Sequence, residues 1–224
     1  KHLNNSYWNI FTEIVKNITR DQNGRESELI YNFVISQLAY FIQNPTLKLP
    51  DNMRGCTIFQ GTQGAGKSVF LDICKLIMGK NIVSLKGDVI GRVNTTDMNL
   101  SPEPFLQARF VALDEFREFN GKGSNILKSF VYEKEINFAQ KYKHPVSLEV
   151  NYTCFMAYNT LQNMGGSTFF LEENTTNRRY AIGEATIDLE THFKNKNISW
   201  EVFTEMLDSK NKEELIAQVI AGLR

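Results

Sequence analysis

The segment GTQGAGKS, residues 61–68, constrains the fold more than any other part of the sequence. It matches in full the pattern G-x-x-x-x-G-K-[ST], which is typical of a loop that binds phosphate groups. The apolar run CTIF before it predicts a short buried strand, and KSVFLDICKLIMG after it predicts a helix that ends at Gly79. A strand, a glycine-rich loop and a helix in this order favour an α/β fold with a nucleotide site at the loop.

The residue types of the loop suit the phosphates of ATP. Glycine allows backbone conformations that are closed to other residues, and it lets N–H groups approach an anion closely. The helix that follows directs its positive end at the same anion. Lys67 is expected to reach the β- and γ-phosphates, and Ser68 is expected to bind Mg²⁺ through its hydroxyl. The sequence therefore predicts ATP and Mg²⁺ as cofactors, with these loop residues as ligands: Gly61, Thr62, Gln63, Gly64, Ala65, Gly66, Lys67 and Ser68.

Polar side chains end two further apolar segments. FVALDE closes on Asp114 and Glu115, and YTCFMAYN closes on Asn159. Asp114 is expected to hold Mg²⁺, directly or through water, and Glu115 to orient or deprotonate the attacking water. The interval between Lys67 and Asp114 leaves room for a crossover between their two strands. Asn159 is expected to position the same water or to contact the γ-phosphate.

The remaining pattern predicts the organisation of the chain. Ser6 is a candidate N-cap for a first helix with an apolar face, and a second helix is predicted over residues 27–42. Strands are predicted at NIVSL and RRYAIG, a helix at SNILKSFVYE, and a hairpin over EINFAQKYKHPVSLEV. Residues 199–222 return to helix, with Asn211 and Glu214 spaced as a capping box. Alternating strands and helices favour a central parallel sheet flanked by helices. We divide the chain into a helical segment 1–55, a core 56–185 and a helical segment 186–224.

Composition excludes several classes of protein. Lys plus Arg equals Asp plus Glu, 25 against 25, so nucleic-acid binding would require a local basic patch. The three cysteines lie far apart in apolar segments, which favours reduced core residues and a reducing, cytosolic setting. No apolar run reaches the roughly 18 residues of a membrane span, and no signal peptide is recognisable, so a secreted protein is not expected. Because the sequence begins at Lys1 without methionine, we expect a piece of a longer protein.

The order of these motifs resembles that of the superfamily 3 helicases, a branch of the AAA+ ATPases of small DNA viruses, phages and plasmids. It is most similar to the helicase domains attached to primases in phages, poxvirus-type viruses and mobile elements. The resemblance covers roughly residues 25–185 and rests on the segments FVISQLAYFIQNP, IFQGTQGAGKS and NRRYAI. It implies an AAA+ core, a sensor role for Asn159, and a location in the cytoplasm or at a host-cell replication site. It also implies a primase domain on the same longer chain. For residues 1–55 we expect a role as an oligomerisation collar.

The same resemblance implies partners. Family members form hexameric rings around a single strand, here DNA in preference to RNA, and bind ATP between subunits. Arg178 or Arg179 would then contact the nucleotide of a neighbouring subunit, although Asn177 stands where many relatives carry an acidic residue. A hairpin tip that follows the phosphate backbone would correspond to Lys141, Lys143 and His144, in a segment that otherwise departs from the family pattern. Six converging copies would reconcile DNA binding with a neutral chain.

Three functions are compatible with these motifs. The leading one is a nucleic-acid-stimulated ATPase that translocates along a strand, with an arginine stabilising charge on the γ-phosphate. The alternative is an AAA+ loader or an ATP-dependent switch without unwinding activity. A small-molecule kinase is the third, and the absence of an acceptor motif disfavours it. For the arginine pair and for the hairpin residues, a solvated surface is the alternative interpretation.

Overall fold

The computed structural model describes residues 6–86, 102–114, 133–138, 144–159 and 180–224. The chain divides into two compact units, the first formed by residues 1–47, 59–79 and 182–224, and the second by residues 48–58 and 80–181. The described helices are α1 Tyr7–Ile18, α2 Glu28–Gln43, α3 Lys67–Met78, α4 Leu189–Asn195, α5 Trp200–Met206 and α6 Lys212–Leu223. The described strands are β1 Cys56–Gly61, β2 Ile82–Lys86, β3 Phe110–Asp114, β4 Glu135–Phe138, β5 Val146–Glu149, β6 Thr153–Asn159 and β7 Tyr180–Ala185.

A central parallel sheet confirms the predicted α/β fold class. Its five strands lie in the order β2-β3-β6-β1-β7, with helices flanking the sheet. On β3, Phe110 lies opposite Ile82 of β2 and Thr153 of β6, and both pairings are parallel. Residues 110–113 of β3, which the sequence shows as an apolar run, are all buried. This is expected of a strand that is covered on both faces.

A separate antiparallel pair confirms the predicted hairpin strands. In this two-stranded sheet Ile136 of β4 lies opposite Leu148 of β5. The connecting residues 139–143 and residues 124–132 of the predicted helix SNILKSFVYE lie outside the described residues. Within the second unit, Phe138 packs against Phe105 with ring centroids 5.0 Å apart. Phe110 stacks on Phe155 at 4.8 Å.

Helix α1 confirms the predicted first helix, and it packs against α3 and α6 of the first unit. The Ser6 hydroxyl accepts a hydrogen bond from the Asn9 N–H at 3.2 Å, so the predicted N-cap is confirmed. Phe11 is fully buried and stacks on Phe70 of α3 at 6.1 Å. The predicted second helix is confirmed as α2, with Ser27 as its N-cap. Apolar contact with α3 therefore places α1 beside the helix that follows the glycine-rich loop.

The C-terminal segment is helical, but the predicted capping box is wrong. The Asn211 side-chain amide donates to the Glu205 carbonyl at 2.8 Å, and Glu214 accepts a hydrogen bond from Gln218 at 2.9 Å. A short 3₁₀ turn over Ser209–Asn211 leaves Asn211 with φ −99° and ψ 5°, which is not the extended conformation that an N-cap needs. Instead, Ser199 caps α5 through its hydroxyl.

The three cysteines are free thiols and all are buried, as expected of core residues. Burial raises the pKa of the Cys154 thiol to about 12. None of the described helices combines the length and apolar character needed to cross a lipid bilayer.

Candidate nucleotide-binding site

The glycine-rich loop joins β1 to α3, and its backbone requires glycine. Gly61, Gly64 and Gly66 have φ angles of +134°, +83° and +97°. A Cβ atom on Gly61 would lie 2.2 Å from the carbonyl oxygen of Ala185, well inside van der Waals contact. Side chains therefore cannot be added at Gly61 without moving the backbone of β7.

Neighbouring segments of the first unit hold the loop in place. The backbone N–H and the hydroxyl of Thr62 both donate to the Ala185 carbonyl, at 2.8 and 2.9 Å. The N–H of Leu189, at the start of α4, donates to the Gly64 carbonyl at 3.0 Å. The side-chain amide of Asn17, on α1, donates to the Ala65 carbonyl at 3.1 Å. The loop is thus tied to β7, α4 and α1 through its carbonyl groups and Thr62.

The Lys67 ammonium lies within the curve of the loop. Its Nζ donates to the carbonyls of Thr62 at 2.6 Å and of Gly61 at 3.2 Å, and the residue is only 5% exposed. A buried charge needs such partners, because desolvation without hydrogen bonds is costly. Ser68, Thr62, Gln63 and Gly64 are exposed, whereas Ala65 and Gly66 are buried.

The N-terminus of α3 differs from those of α1, α2, α4 and α5. Those four helices carry a Ser or Asp side-chain cap. At α3 the N-cap is Gly66, no side chain caps the helix, and the first turn contains no acidic residue. Backbone N–H groups of a first turn have no acceptor within the helix, and the helix dipole favours an anion there. Together with the Lys67 ammonium and the exposed Ser68 hydroxyl, this donor set fits a chain of phosphates with its cation.

The second unit carries the other predicted site residues that the structure describes. Asp114 is the last residue of β3 and is half-buried, and Asn159 is the last residue of the neighbouring strand β6. Because Leu113 lies opposite Met156 and the two strands are parallel, both residues follow at the same edge of the sheet. That edge is where α/β folds place ligand-binding groups.

The remaining predicted residues are divided between described and undescribed segments. His144 is exposed and lies two residues before β5. Outside the described residues are Glu115, Lys141, Lys143, Arg178 and Arg179. For these five the structure adds nothing to the sequence prediction.

The sequence interpretation missed three buried polar residues, of which one hydrogen-bonds to the loop. Asn17, Arg20 and His192 are all buried polar residues of the first unit. One feature of the sequence pointed to Asn17. It directly precedes Ile18 at the buried edge of an amphipathic helix, where a polar side chain needs a hydrogen-bond partner. Its partners could not be recognised, because Ala65 and Ile187 are remote from it in sequence.

Comparison with known proteins adds a family and a fold. Residues 59–179 match the model of a family of unknown function, DUF5906. No curated protein sequence gives a significant match. The A form apo structure of the NrS-1 C-terminal region is similar with a TM-score of 0.66 and 19% identity, over 96% of this chain and 45% of that one. The apo structure of NrS-1 residues 305–718 gives a TM-score of 0.62 and 16% identity, over 94% of this chain and 47% of that one.

At these identities the two structures show the fold alone. The chain spans a little under half the length of each, so the likeness concerns one portion of the NrS-1 C-terminal region. The likeness extends over nearly the whole length of this chain.

Proposed function

Because the chain belongs to DUF5906, a family of unknown function, we propose its activity from the site: it binds ATP with Mg²⁺ at residues 61–68 and hydrolyses it. The observation that carries the proposal is the loop itself. It joins a strand to a helix that has no side-chain cap, its glycines have positive φ angles, and the Lys67 ammonium lies inside its curve. Adjacent phosphates would engage the helix terminus and the ammonium together.

The residues of the chain then have distinct roles. ATP supplies the phosphoanhydride, and Mg²⁺ neutralises charge on the phosphates. Lys67 binds the β- and γ-phosphates, and the Ser68 hydroxyl and Asp114 carboxylate hold the ion. Glu115 orients or deprotonates water for attack, and Asn159 positions that water. Placement of Asp114 and Asn159 at the ends of neighbouring parallel strands supports this division of roles.

We extend the proposal to a homo-hexameric translocase of the superfamily 3 type that acts on single-stranded DNA during replication. The order of the motifs supports it, as does the antiparallel pair β4–β5 in the place of the DNA-contacting hairpin. Lys141, Lys143 and His144 would contact the strand, and Arg178 or Arg179 would reach the nucleotide of the adjacent subunit. An arginine suits that role because its planar group stays charged and contacts two phosphate oxygens.

ATP binding and turnover test the first part of the proposal. Lys67→Ala should abolish binding of a fluorescent ATP analogue, whereas Lys75→Ala, on the same helix and paired with Asp72 at the surface, should bind normally. Glu115→Gln should bind the analogue like the unaltered protein and release no phosphate. Normal phosphate release by Glu115→Gln would refute its role as base. Failure of the unaltered protein to bind the analogue would refute the whole proposal.

Mixed assemblies test whether an arginine of one subunit acts on the nucleotide bound by its neighbour. Lys67→Ala subunits lack a working loop but retain the arginines, and Arg179→Ala subunits have the opposite defect. Mixing the two inactive proteins should restore part of the ATPase, because some interfaces then combine an intact loop with an intact arginine; Arg178→Ala is mixed in parallel. No recovery with either arginine variant would contradict a contribution from the neighbour. Unwinding of a forked DNA by the assembled protein separates a translocase from a loader or switch, which would hydrolyse ATP without strand displacement.

A further inference from the structure

We propose that Asn17 is a positioning residue for the phosphate-binding loop, holding its backbone in the conformation that receives the nucleotide. The inference rests on the proposed nucleotide site and adds to it a residue from α1, outside the segment in which the sequence motifs lie. Asn17 has no exposed surface, so its side chain acts only on other groups of the protein.

The Asn17 carboxamide joins two chain segments. Its Nδ2 donates to the Ala65 carbonyl at 3.1 Å and to the Ile187 carbonyl at 2.9 Å. Ala65 lies between Gly64 and Gly66, whose positive φ angles define the turn of the loop. Ile187 lies between β7 and α4. Both hydrogens of the amide are therefore used to hold the centre of the loop against the segment that follows β7.

A guanidinium fixes the orientation of that carboxamide. Arg20 is only 7% exposed, and its Nε donates to the Asn17 Oδ1 at 3.2 Å. Arginine has no acceptor, and the Ala65 and Ile187 carbonyls have no hydrogen to give, so only one assignment of the Asn17 oxygen and nitrogen satisfies all three contacts. The amide cannot rotate by 180° without losing every one of them.

Further hydrogen bonds hold the Arg20 guanidinium in place. Its Nη1 donates to the Gly24 carbonyl at 3.0 Å, and its Nη2 donates to the His192 Nδ1 at 2.9 Å. Because Nδ1 accepts, the imidazole carries its hydrogen on Nε2, which donates to the Glu13 carboxylate at 3.1 Å. Burial alone would raise the pKa of Glu13, but hydrogen bonds from His192 and Lys16 outweigh it and lower the pKa to about 2. The carboxylate is therefore available as an acceptor near neutral pH.

These groups form a series, which we call the α1 relay: Glu13, His192, Arg20, Asn17 and the Ala65 carbonyl. Glu13 and Asn17 lie four residues apart on α1, hence on one face of the helix, and Arg20 continues that face beyond its end. Each link uses a donor and an acceptor with no alternative assignment. A buried network that is satisfied throughout allows fewer arrangements of its members than scattered contacts do. The relay thus presents the Ala65 carbonyl, and the loop with it, in one position.

The test compares Asn17→Asp with Thr19→Val. Asn17→Asp keeps the side-chain shape and the contact with Arg20 but removes both donors, and it directs a carboxylate oxygen at two carbonyls. Thr19→Val is the matched control, since it removes a buried hydroxyl whose hydrogen bond goes to Val15 within the same helix. We measure the Kd of ADP with Mg²⁺ by titration calorimetry, and KM and kcat of ATP hydrolysis, well below the melting temperature of each variant.

Asn17→Asp should raise the Kd for MgADP and the KM for ATP about tenfold or more, the scale of losing a buried hydrogen bond at the loop. The kcat of Asn17→Asp should change less, because bound phosphates restore the conformation of the loop. Thr19→Val should alter stability alone. A role confined to packing of α1 predicts equal Kd values for the two variants at matched stability, and that result overturns the inference while leaving the proposed nucleotide site standing.

A second variant keeps the inference open to refutation if Asn17→Asp does not fold. His192→Gln removes the support of Arg20 without touching the loop, and it should raise the Kd for MgADP about threefold or more, a fraction of the direct loss. An unchanged Kd in folded His192→Gln overturns the relay. Absence of MgADP binding by the unaltered protein overturns the proposed function together with this inference. This outcome is distinguished from failure of the inference alone because the unaltered protein is measured before any variant.

Discussion

Replacement of Gly61 by alanine gives the sharpest quantitative test of the loop geometry. The new Cβ would meet the Ala185 carbonyl oxygen at 2.2 Å and its carbonyl carbon at 2.7 Å, and both atoms belong to the backbone of a strand. Gly64→Ala is the matched control, because Gly64 also has a positive φ but its Cβ would meet only the Asp188 side chain, at 3.9 Å. Both substitutions are made at a positive φ, but only Gly61→Ala adds a clash with backbone atoms.

The expected magnitudes follow from these two terms. A left-handed backbone conformation costs an L-residue about 1–2 kcal/mol, which is the whole effect expected for Gly64→Ala. Overpacking adds about 1–3 kcal/mol for Gly61→Ala. Displacement of the Ala185 carbonyl also weakens its hydrogen bonds from Thr62, at about 0.5–1.5 kcal/mol each. We therefore expect Gly61→Ala to lower the free energy of unfolding by at least about 2 kcal/mol more than Gly64→Ala.

Tryptophan fluorescence during urea unfolding measures this difference. The chain has two tryptophans, Trp8 and Trp200, and both lie in the first unit, which contains the loop. With a urea m-value of about 1–3 kcal/mol/M, the unfolding midpoint of Gly61→Ala should lie about 1 M below that of Gly64→Ala. Equal midpoints at equal m-values would refute the close approach of the loop to Ala185, and with it the reason for glycine at this position.

Three further predictions concern pH, core packing and thiol chemistry. The pKa of Glu13 is lowered to about 2, so this group stabilises the folded state fully above its unfolded pKa of ~4.3 and progressively less as the pH falls toward 2. The melting temperature of the unaltered protein should therefore decline more steeply than that of Glu13→Gln between about pH 5 and 3. Parallel declines would contradict the hydrogen bonds from His192 and Lys16. Phe155→Ala should lower the free energy of unfolding by about 3–5 kcal/mol in calorimetry, as for a fully buried aromatic residue, and a loss below about 1 kcal/mol would contradict its burial. The three buried cysteines, with the pKa of Cys154 raised to about 12, should resist a thiol-reactive disulfide reagent until urea exposes them; rapid reaction in the native protein would contradict this burial.

Local patterns predicted the parts of the fold that depend on short stretches of chain. The glycine-rich loop, its strand and its helix could be recognised because each residue type is required by a local conformation or by the anion. Ser6 was predictable as an N-cap because capping joins residues only three positions apart. Asn211 shows the limit of the same rule, since it ends a 3₁₀ turn and its side chain donates to the Glu205 carbonyl instead of accepting from a backbone N–H of the helix.

Contacts between distant segments could not be predicted from such patterns. The order β2-β3-β6-β1-β7 places β6 between β3 and β1, although β6 follows both in sequence. The loop glycine Gly61 is fixed by Ala185, and Asn17 contacts Ile187, both more than a hundred residues away. A single sequence carries no signal for these pairs, because the residues involved obey no shared local spacing.

The α1 relay changes what can be expected of the N-terminal segment, for which an oligomerisation collar remains a prediction. Every residue of α1 is buried or half-buried within the first unit, so this helix has little surface left for a neighbouring subunit. On α2, by contrast, Leu29 is 82% exposed, and exposed residues recur along the helix. If the N-terminal segment joins subunits, α2 therefore offers the surface, while α1 braces the loop.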